Sequence, residues 1–247
     1  MRIVIITGGS RGIGAGTAIE CAKRGLGVIL TYNENQLAAE AIVAEITKAG
    51  GSALALKLDV TKVATFGAFR DSVSAALQSK WKRDTFDGLV NNAGYGAFKP
   101  IEAVTEQEFT GLFNVHLKGP FFLTQALLQI IKDGGDIVNI TSATTRVATA
   151  GVAPYASFKG GLEVLTRYMA KEFGGRRIRA NAVSPGAIRT DLGGGLNEEF
   201  EAMLAGQTAL GRVGEPQDVG SIVAGLLTDE NRWINGQSIE VSGGYIL

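Results

Sequence analysis

The 247-residue chain has one cysteine, Cys21, and one histidine, His116. A single thiol excludes a disulfide within the chain and fits a reducing compartment. Clustered cysteine and histidine ligands for zinc are missing, so no metal is expected. A Ser-His-Asp hydrolase is excluded unless His116 itself serves. Neither sign of charge dominates: 24 lysines and arginines balance 24 aspartates and glutamates. No block of like charge interrupts that balance, which argues against a nucleic-acid partner. No apolar run approaches the ~20 residues of a membrane span. Met1-Arg2 leads straight into an apolar run that ends at Gly8-Gly9, too short for a secretory leader. The expectation is a cytoplasmic protein that binds no membrane.

Hydrophobic residues, in contrast, make up 45% of the chain, and one domain of this length can bury roughly 70–75% of its unfolded surface. Apolar runs at 2–7, 27–32, 53–60, 88–91, 137–140, 178–185 and 235–244 read as strands. Between them, helical spacing runs over 15–24, 36–49, 63–78, 121–131, 162–172 and 218–227, with Gly134-Gly135 read as a helix break. Thr105-Glu-Gln-Glu108 resembles a capping box opening the helix that carries Asn114. No linker, repeat or low-complexity segment divides the alternation. Residues 1–247 therefore read as one α/β domain, a parallel sheet covered on both faces.

TGGSRGIG, at 7–14, joins the first strand to the first helix. Gly8, Gly12 and Gly14 let the backbone turn sharply and approach a pyrophosphate, while the helix start offers free amides and partial positive charge. The second strand ends at Tyr32-Asn33 with no carboxylate to bind the adenine ribose hydroxyls and repel a 2′-phosphate. Arg11 in the turn supplies a cation for that phosphate. NADP(H) is accordingly favoured and NAD(H) kept as the alternative, since Glu34 swinging into the site would weaken the preference.

Tyr155 and Lys159 stand four apart at the start of a helical pattern and share a face. A free tyrosine titrates near pH 10, and a cation within reach lowers that by roughly 1 to 3 units, so Lys159 is expected to tune Tyr155 for proton transfer. Ser142 follows an apolar run, at a strand end where open parallel sheets bind ligands. Its hydroxyl can hold a substrate oxygen. Read alone, the Tyr-Lys pair is an ordinary feature of a surface helix, and Asn91-Asn92-Ala93-Gly94 an ordinary turn.

Taken together, the glycine turn, the Asn-Asn-Ala-Gly run, Ser142 and Tyr155-x-x-x-Lys159 resemble the short-chain dehydrogenase/reductase family. That resemblance implies a Rossmann-type, doubly wound domain with seven strands in the order 3-2-1-4-5-6-7. It implies cofactor contacts from Gly8, Ser10, Arg11, Gly12, Ile13, Gly14, Tyr32, Asn33, Asp59, Val60, Asn91, Ala93, Gly94, Pro185, Gly186, Ile188 and Thr190, with Tyr155 and Lys159. Asp59 and Val60 would cap the adenine pocket, and Thr190 would bind the nicotinamide carboxamide. The catalytic set it implies is Asn114, Ser142, Tyr155 and Lys159, with Asn114 bending its helix and fixing a water that links Lys159 to solvent. His116, two residues on, does not share a helix face with Asn114 and is given no catalytic role.

The resemblance implies hydride transfer between nicotinamide and a carbonyl or secondary-alcohol carbon, with Tyr155 as acid in the reducing direction. Its nearest-looking branch, the 3-oxoacyl carrier-protein reductases, would need basic residues beside the cleft. Lys132, Arg176 and Arg177 are placed there by expectation. A small-molecule ketone, sugar or secondary alcohol is the competing substrate, and a non-catalytic NADP sensor the competing class. Gly193-Gly194-Gly195 reads as the hinge of a substrate lid. Phe158 departs from the family's usual small hydroxyl residue, which points to altered packing or a subunit contact. The family's common homotetramer, with the apolar end 244–247 at a contact, is the expected assembly.

Overall fold

Ile3, Val4, Ile5 and Ile6 are all fully buried, because β1 (Ile3–Ile6) runs through the middle of a sheet covered on both faces. In the computed structural model, which describes residues 1–192 and 194–247, each of the first six strands is followed by a helical crossover. After β1 come α1 (Gly12–Lys23), β2 (Gly27–Tyr32), α2 (Gln36–Lys48) and β3 (Ala53–Lys57), then α3 (Phe66–Ala76) and β4 (Phe86–Asn91). The second half contains α4 (Glu106–Phe113), α5 (Gly119–Leu127), β5 (Ile131–Ile140), α6 (Ala153–Glu172) and β6 (Arg179–Pro185). It ends with α7 (Glu198–Gly206), α8 (Pro216–Leu226) and β7 (Ser238–Val241). The seven strands lie in the order β3-β2-β1-β4-β5-β6-β7, every pairing parallel. This is the doubly wound topology expected, with its reversal of direction between β1 and β4.

Alternate residues of each strand feed opposite layers. Val4 and Ile6 join Ala18, Cys21, Val219 and Val223 under α1 and α8. Ile3 and Ile5 join Phe66, Val73, Leu123 and Met169 under α3, α5 and α6. Helices α1 and α8 cross with almost no side chain between them. A Cβ on Gly16 would stand 2.7 Å from the Pro216 carbonyl carbon, and one on Gly220 2.7 Å from that of Gly16. Cys21 lies wholly inside this layer, where burial pushes its thiol up to about 12.

Several local expectations are corrected. Residues 128–131 are not helical: α5 stops at Leu127, and Ile131 opens β5 opposite Phe86. Gly134 and Gly135 are part of that strand, where the pairing slips from Phe86↔Ile131 to Gly88↔Asp136 and extra residues bulge outward. The third strand ends at Lys57 rather than Val60, because the Asp59 carboxylate accepts from both the amide and the hydroxyl of Thr61 and turns the chain. The 63–78 helix is α3 flanked by a tight turn at Val63–Thr65 and a wide π turn at Leu77–Trp81. Thr105 and Glu108 do form the reciprocal capping box.

Two surface expectations also change. Phe158 is buried within its own chain, its ring 4.9 Å from that of Phe109 and 5.6 Å from that of Phe113. Arg176 is bound to Asp133 at 2.7 Å and to the carbonyls of Leu128 and Ile131. Lys132, Arg176 and Arg177 therefore sit where β5 and β6 begin. That is the opposite edge of the sheet from the strand C-termini, and the basic docking rim expected of them is absent there.

Candidate active site

The C-terminal ends of the central strands open into a cleft of about 1280 Å³ at the β1/β4 reversal. Two side chains lace its floor. Thr7 Oγ1 accepts from the amides of Asn92 and Ala93, and Asn92 Nδ2 donates to the carbonyls of Thr7 and Gly8. The glycine turn after β1 is thereby fixed against the strand end of β4. Gly8 has φ +65, and a Cβ there would lie 2.9 Å from Ala93 Cα. Gly12, at φ +54, faces the Thr190 methyl 3.2 Å from where its own Cβ would stand. Arg11 occupies the N-cap position of α1 without capping it by its side chain, so the first-turn amides keep their anion-binding capacity. A backbone cradle that any side chain would fill, beside an uncapped helix start, fits a dinucleotide pyrophosphate.

Of the residues expected to hold the cofactor, Ser10, Arg11, Ile13, Tyr32, Asn33, Asp59, Val60, Ala93, Gly94, Pro185, Gly186, Ile188 and Thr190 line the cleft with Gly8 and Gly12. Glu34 lines it as well. Gly14 and Asn91 do not. Gly14 packs under the turn, where a Cβ would meet the Gly8 carbonyl oxygen at 2.2 Å. Asn91 is buried, its amide donating to Asn139 at 2.8 Å and to Thr124 at 3.3 Å. The pair Asn91-Asn92 divides its work, one residue tying strands and the other shaping the cleft.

Ser142, Tyr155 and Lys159 meet at the inner end of this cleft. The first turns of α6 carry Tyr155 and Lys159, and Ser142 stands two residues beyond the end of β5. The Ser142 hydroxyl accepts from the Thr144 amide at 3.2 Å and from the Thr144 hydroxyl at 2.9 Å. Its own proton is left to donate to a third group in the cleft. Lys159 is buried, donates to the Ile140 carbonyl at 2.7 Å, and holds its ammonium 5.6 Å from the centre of the Tyr155 ring. Burial pulls its pKa down to about 7.

The lowering of the Tyr155 pKa expected from Lys159 does not prevail here. Burial raises the phenol's pKa above its ordinary value, and only the Ser142 hydroxyl works in the other direction. The ammonium lies over the ring, 5.6 Å from its centre. Tyr155 is thus protonated at neutral pH, the form needed to donate a proton.

The structure does not bring Asn114 to this group. Residues Asn114–Lys118 form a π turn between α4 and α5. Asn114 lines an outer groove with Thr105, Gln107 and Gly111. The helix distortion expected at this point is present, but it turns His116 inward and leaves Asn114 outside. His116 is buried, with its ring 4.9 Å from that of Tyr155 at 83° and its Nε2 2.8 Å from the Tyr95 carbonyl oxygen.

The sequence reading also missed Tyr95, Phe98, Val152 and Leu192, which form the outer wall of the cleft. The signal available for the first two was the run Gly94-Tyr-Gly-Ala-Phe98, aromatic residues immediately after a strand-end turn. Beyond Leu192 the chain passes Gly194 and Gly195, both at positive φ, into α7; Gly193, the first of the expected hinge glycines, lies outside the described residues. Arg189 grips both sides of this segment, paired with Glu201 of α7 and with Glu215 at the start of α8.

Fold, cleft and the Ser-Tyr-Lys group together define a dinucleotide-dependent oxidoreductase. A family model described as enoyl-(acyl carrier protein) reductase matches residues 8–246. The chain is 39% identical over 246 residues to an uncharacterised oxidoreductase of Methylorubrum extorquens, covering 98% of this chain and 97% of that one. It is 36% identical over 260 residues to the hydroxynaphthalene reductase-like protein Arp2 of Metarhizium brunneum, covering 99% and 95%. The solved structure of an angucycline C-6 ketoreductase, LanV, with bound NADP superposes with a TM-score of 0.95 at 32% identity, covering 99% of this chain and 95% of that one. The chain belongs to the short-chain dehydrogenase/reductase family.

Proposed function

We propose that this protein reduces a ketone on a small molecule, taking the hydride from NADPH. The observation that carries this reading is that Ser142 and Tyr155, at one end of a cleft fit for a dinucleotide, each present a proton to the same space. Ser142 holds and polarises the carbonyl oxygen by hydrogen bond. Tyr155 gives that oxygen its proton as the carbon is reduced, a step worth about 10² to 10⁴ in rate. Lys159 supports the phenol from beneath and offers its ammonium to the ribose hydroxyls. Bound NADPH supplies the hydride itself.

NADP over NAD is supported by Arg11 at the turn, by the missing carboxylate at Tyr32-Asn33, and by the NADP in the LanV structure. Gly14 and Asn91 serve the cofactor through the backbone they support rather than by lining the cleft. The cofactor contacts proposed are the cleft-lining residues named above.

For the substrate, the outer wall favours a fused-ring aromatic ketone over a carrier-protein thioester. Tyr95 and Phe98 present their rings there, 41% and 61% exposed. The relatives' names include a hydroxynaphthalene reductase-like protein and an angucycline ketoreductase. The basic residues that would dock an acidic carrier lie at the opposite sheet edge. The segment from Gly194 through α7 is proposed as the lid. A homotetramer is the proposed assembly, using the exposed rings Phe109, Phe121 and Tyr168. No helix among the described residues is long and apolar enough to cross a membrane, and a cytoplasmic location is proposed.

The test is loss of NADPH absorbance at 340 nm with a panel containing a naphthalenone, simple ketones, a keto sugar and a 3-oxoacyl thioester. Fastest turnover of the naphthalenone is the expected result. Turnover of the carrier thioester alone would restore the carrier reading, NAD-linked oxidation of an alcohol would point to a dehydrogenase, and cofactor binding without turnover of any substrate would indicate a sensor.

A further inference from the structure

The single histidine sits inside the catalytic group without an evident task. Its tautomer is set by its partner. The Tyr95 carbonyl can only accept, so Nε2 carries the proton and Nδ1 is a bare acceptor. Nδ1 is buried and has no hydrogen-bond partner among the described residues, so it is an acceptor held free beside the phenol. The ring meets Tyr155 edge to face and Tyr95 at 5.8 Å. Burial first, and the Lys159 charge second, hold the imidazole's pKa down at about 3. The ring is neutral throughout the working range and is not a general base.

The titratable groups facing the ring are Tyr95, on the loop after β4, and Tyr155 and Lys159 on α6. Its backbone belongs to the π turn that separates α4 from α5. A regular helix there would advance each residue by 100°, whereas the wider turn shifts the helical phase and brings His116 under the phenol. Gly94 makes room for it: a Cβ on Gly94 would lie 2.8 Å from His116 Cε1. The loop after β4, the π turn and the start of α6 thus converge on one imidazole.

We propose that His116, rather than Asn114, completes the group of Ser142, Tyr155 and Lys159, as the residue that positions the phenol. Its Nε2–H ties the outer wall at Tyr95 to the catalytic helix. Its ring edge sets the plane of Tyr155. Its Nδ1 gives the buried pair a neutral polar neighbour where a hydrocarbon would desolvate the phenol further. This assignment rests on the ketone-reductase reading for its kinetic test, and a second readout is independent of turnover.

The variants are His116→Phe, which keeps an aromatic ring and removes both nitrogens, His116→Asn, which keeps an N–H donor, and Asn114→Ala. For His116→Phe the expected result is a fall in kcat of at least tenfold with the Kd for NADPH within about threefold of the wild-type value. His116→Asn should recover part of that loss, and it serves as the primary variant should His116→Phe fail to fold by circular dichroism. Asn114→Ala should lose less kcat than either. Independently, the phenolate absorbance of Tyr155, isolated as the difference from Tyr155→Phe, should titrate at higher pH in His116→Phe than in wild type.

An unmoved Tyr155 titration overturns the proposal, and so does a loss in Asn114→Ala equal to that in His116→Phe. If the wild-type protein reduces no carbonyl, the reductase reading fails, and the absorbance titration still decides the role of His116.

Discussion

Lys159 Nζ donates to the carbonyl of Ile140 at 2.7 Å across nineteen residues of chain. That bond connects the last residue of β5 to the second turn of α6, and it holds the ammonium over the face of Tyr155. The phenol is consequently governed by burial and keeps its proton. In the direction of carbonyl reduction that is the useful state, because the acid arrives already charged with the proton it delivers.

Replacing Tyr155 by phenylalanine removes the acid while keeping the ring against His116. Turnover should fall by roughly 10² to 10⁴, with NADPH affinity within about threefold of wild type. Stopped-flow reduction rates and a fluorescence titration measure the two quantities separately. Retained turnover would remove Tyr155 from the mechanism.

Arg11→Ala tests the cofactor reading. A guanidinium paired with a phosphate contributes on the order of 1.5–3 kcal/mol as a charge-assisted bond. The variant should therefore bind NADPH at least about tenfold more weakly and bind NADH unchanged. If both affinities fall together, Arg11 shapes the turn instead of reading the phosphate. If neither falls, another group reads the ribose, and Glu34 in the cleft wall is the first to examine.

The neutral His116 makes a directional prediction for acid stability. Its folded pKa, about 3, is below the ordinary 6.5, so between those values the unfolded chain binds the extra proton. This contribution is complete above about pH 6.5 and is lost as pH falls towards 3, by up to ~1.4 kcal/mol per pH unit. Urea midpoints taken from pH 6.5 to 4.5 should decline more steeply for the wild type than for His116→Phe. Parallel declines would show that the imidazole is protonated in the fold.

Gly220→Val probes the contact between α1 and α8. With backbone only 2.7 Å from the new Cβ, the helices cannot accommodate it without separating, which costs about 1–3 kcal/mol by the usual penalty for overpacking. For a chain of this size that corresponds to a melting temperature lower by roughly 2–12 °C. Cofactor affinity should fall too, because α1 carries the glycine turn. An unchanged melting temperature would mean that α8 is free to shift.

The strands and the two covered faces of the sheet were legible in the sequence, because a parallel sheet demands short fully apolar runs and each run is closed by a turn signal, whereas the strand order came from the family resemblance. The glycine cradle, Ser142, Tyr155 and Lys159 were legible for the same reason: they succeed strand ends at fixed spacing. Asn114 and His116 were not. Which of two residues two apart faces the site depends on the phase of the helix, and one π turn changes that phase without leaving a compositional mark. The Ile131 end of α5 was misread because Leu-Leu-Gln-Ile-Ile suits either a helix or a strand, and only pairing with Phe86 decides it. Lys132 and Arg176 precede the apolar runs that become β5 and β6, so their place at the N-terminal edge of the sheet was legible, and the expected rim beside the cleft came from the resemblance to carrier-protein reductases instead.

Cys21 has one further consequence. The only thiol of the chain is walled inside the α1 layer, where burial raises its pKa, so maleimides and disulfide reagents should leave the native protein alone. The wild-type chain is in effect a blank background for single-site chemistry. A cysteine in place of the exposed Lys132 would then take one dye, one spin label or one surface linker at the edge of the sheet away from the cleft. Tethered there, the molecule would present its opening to the solution.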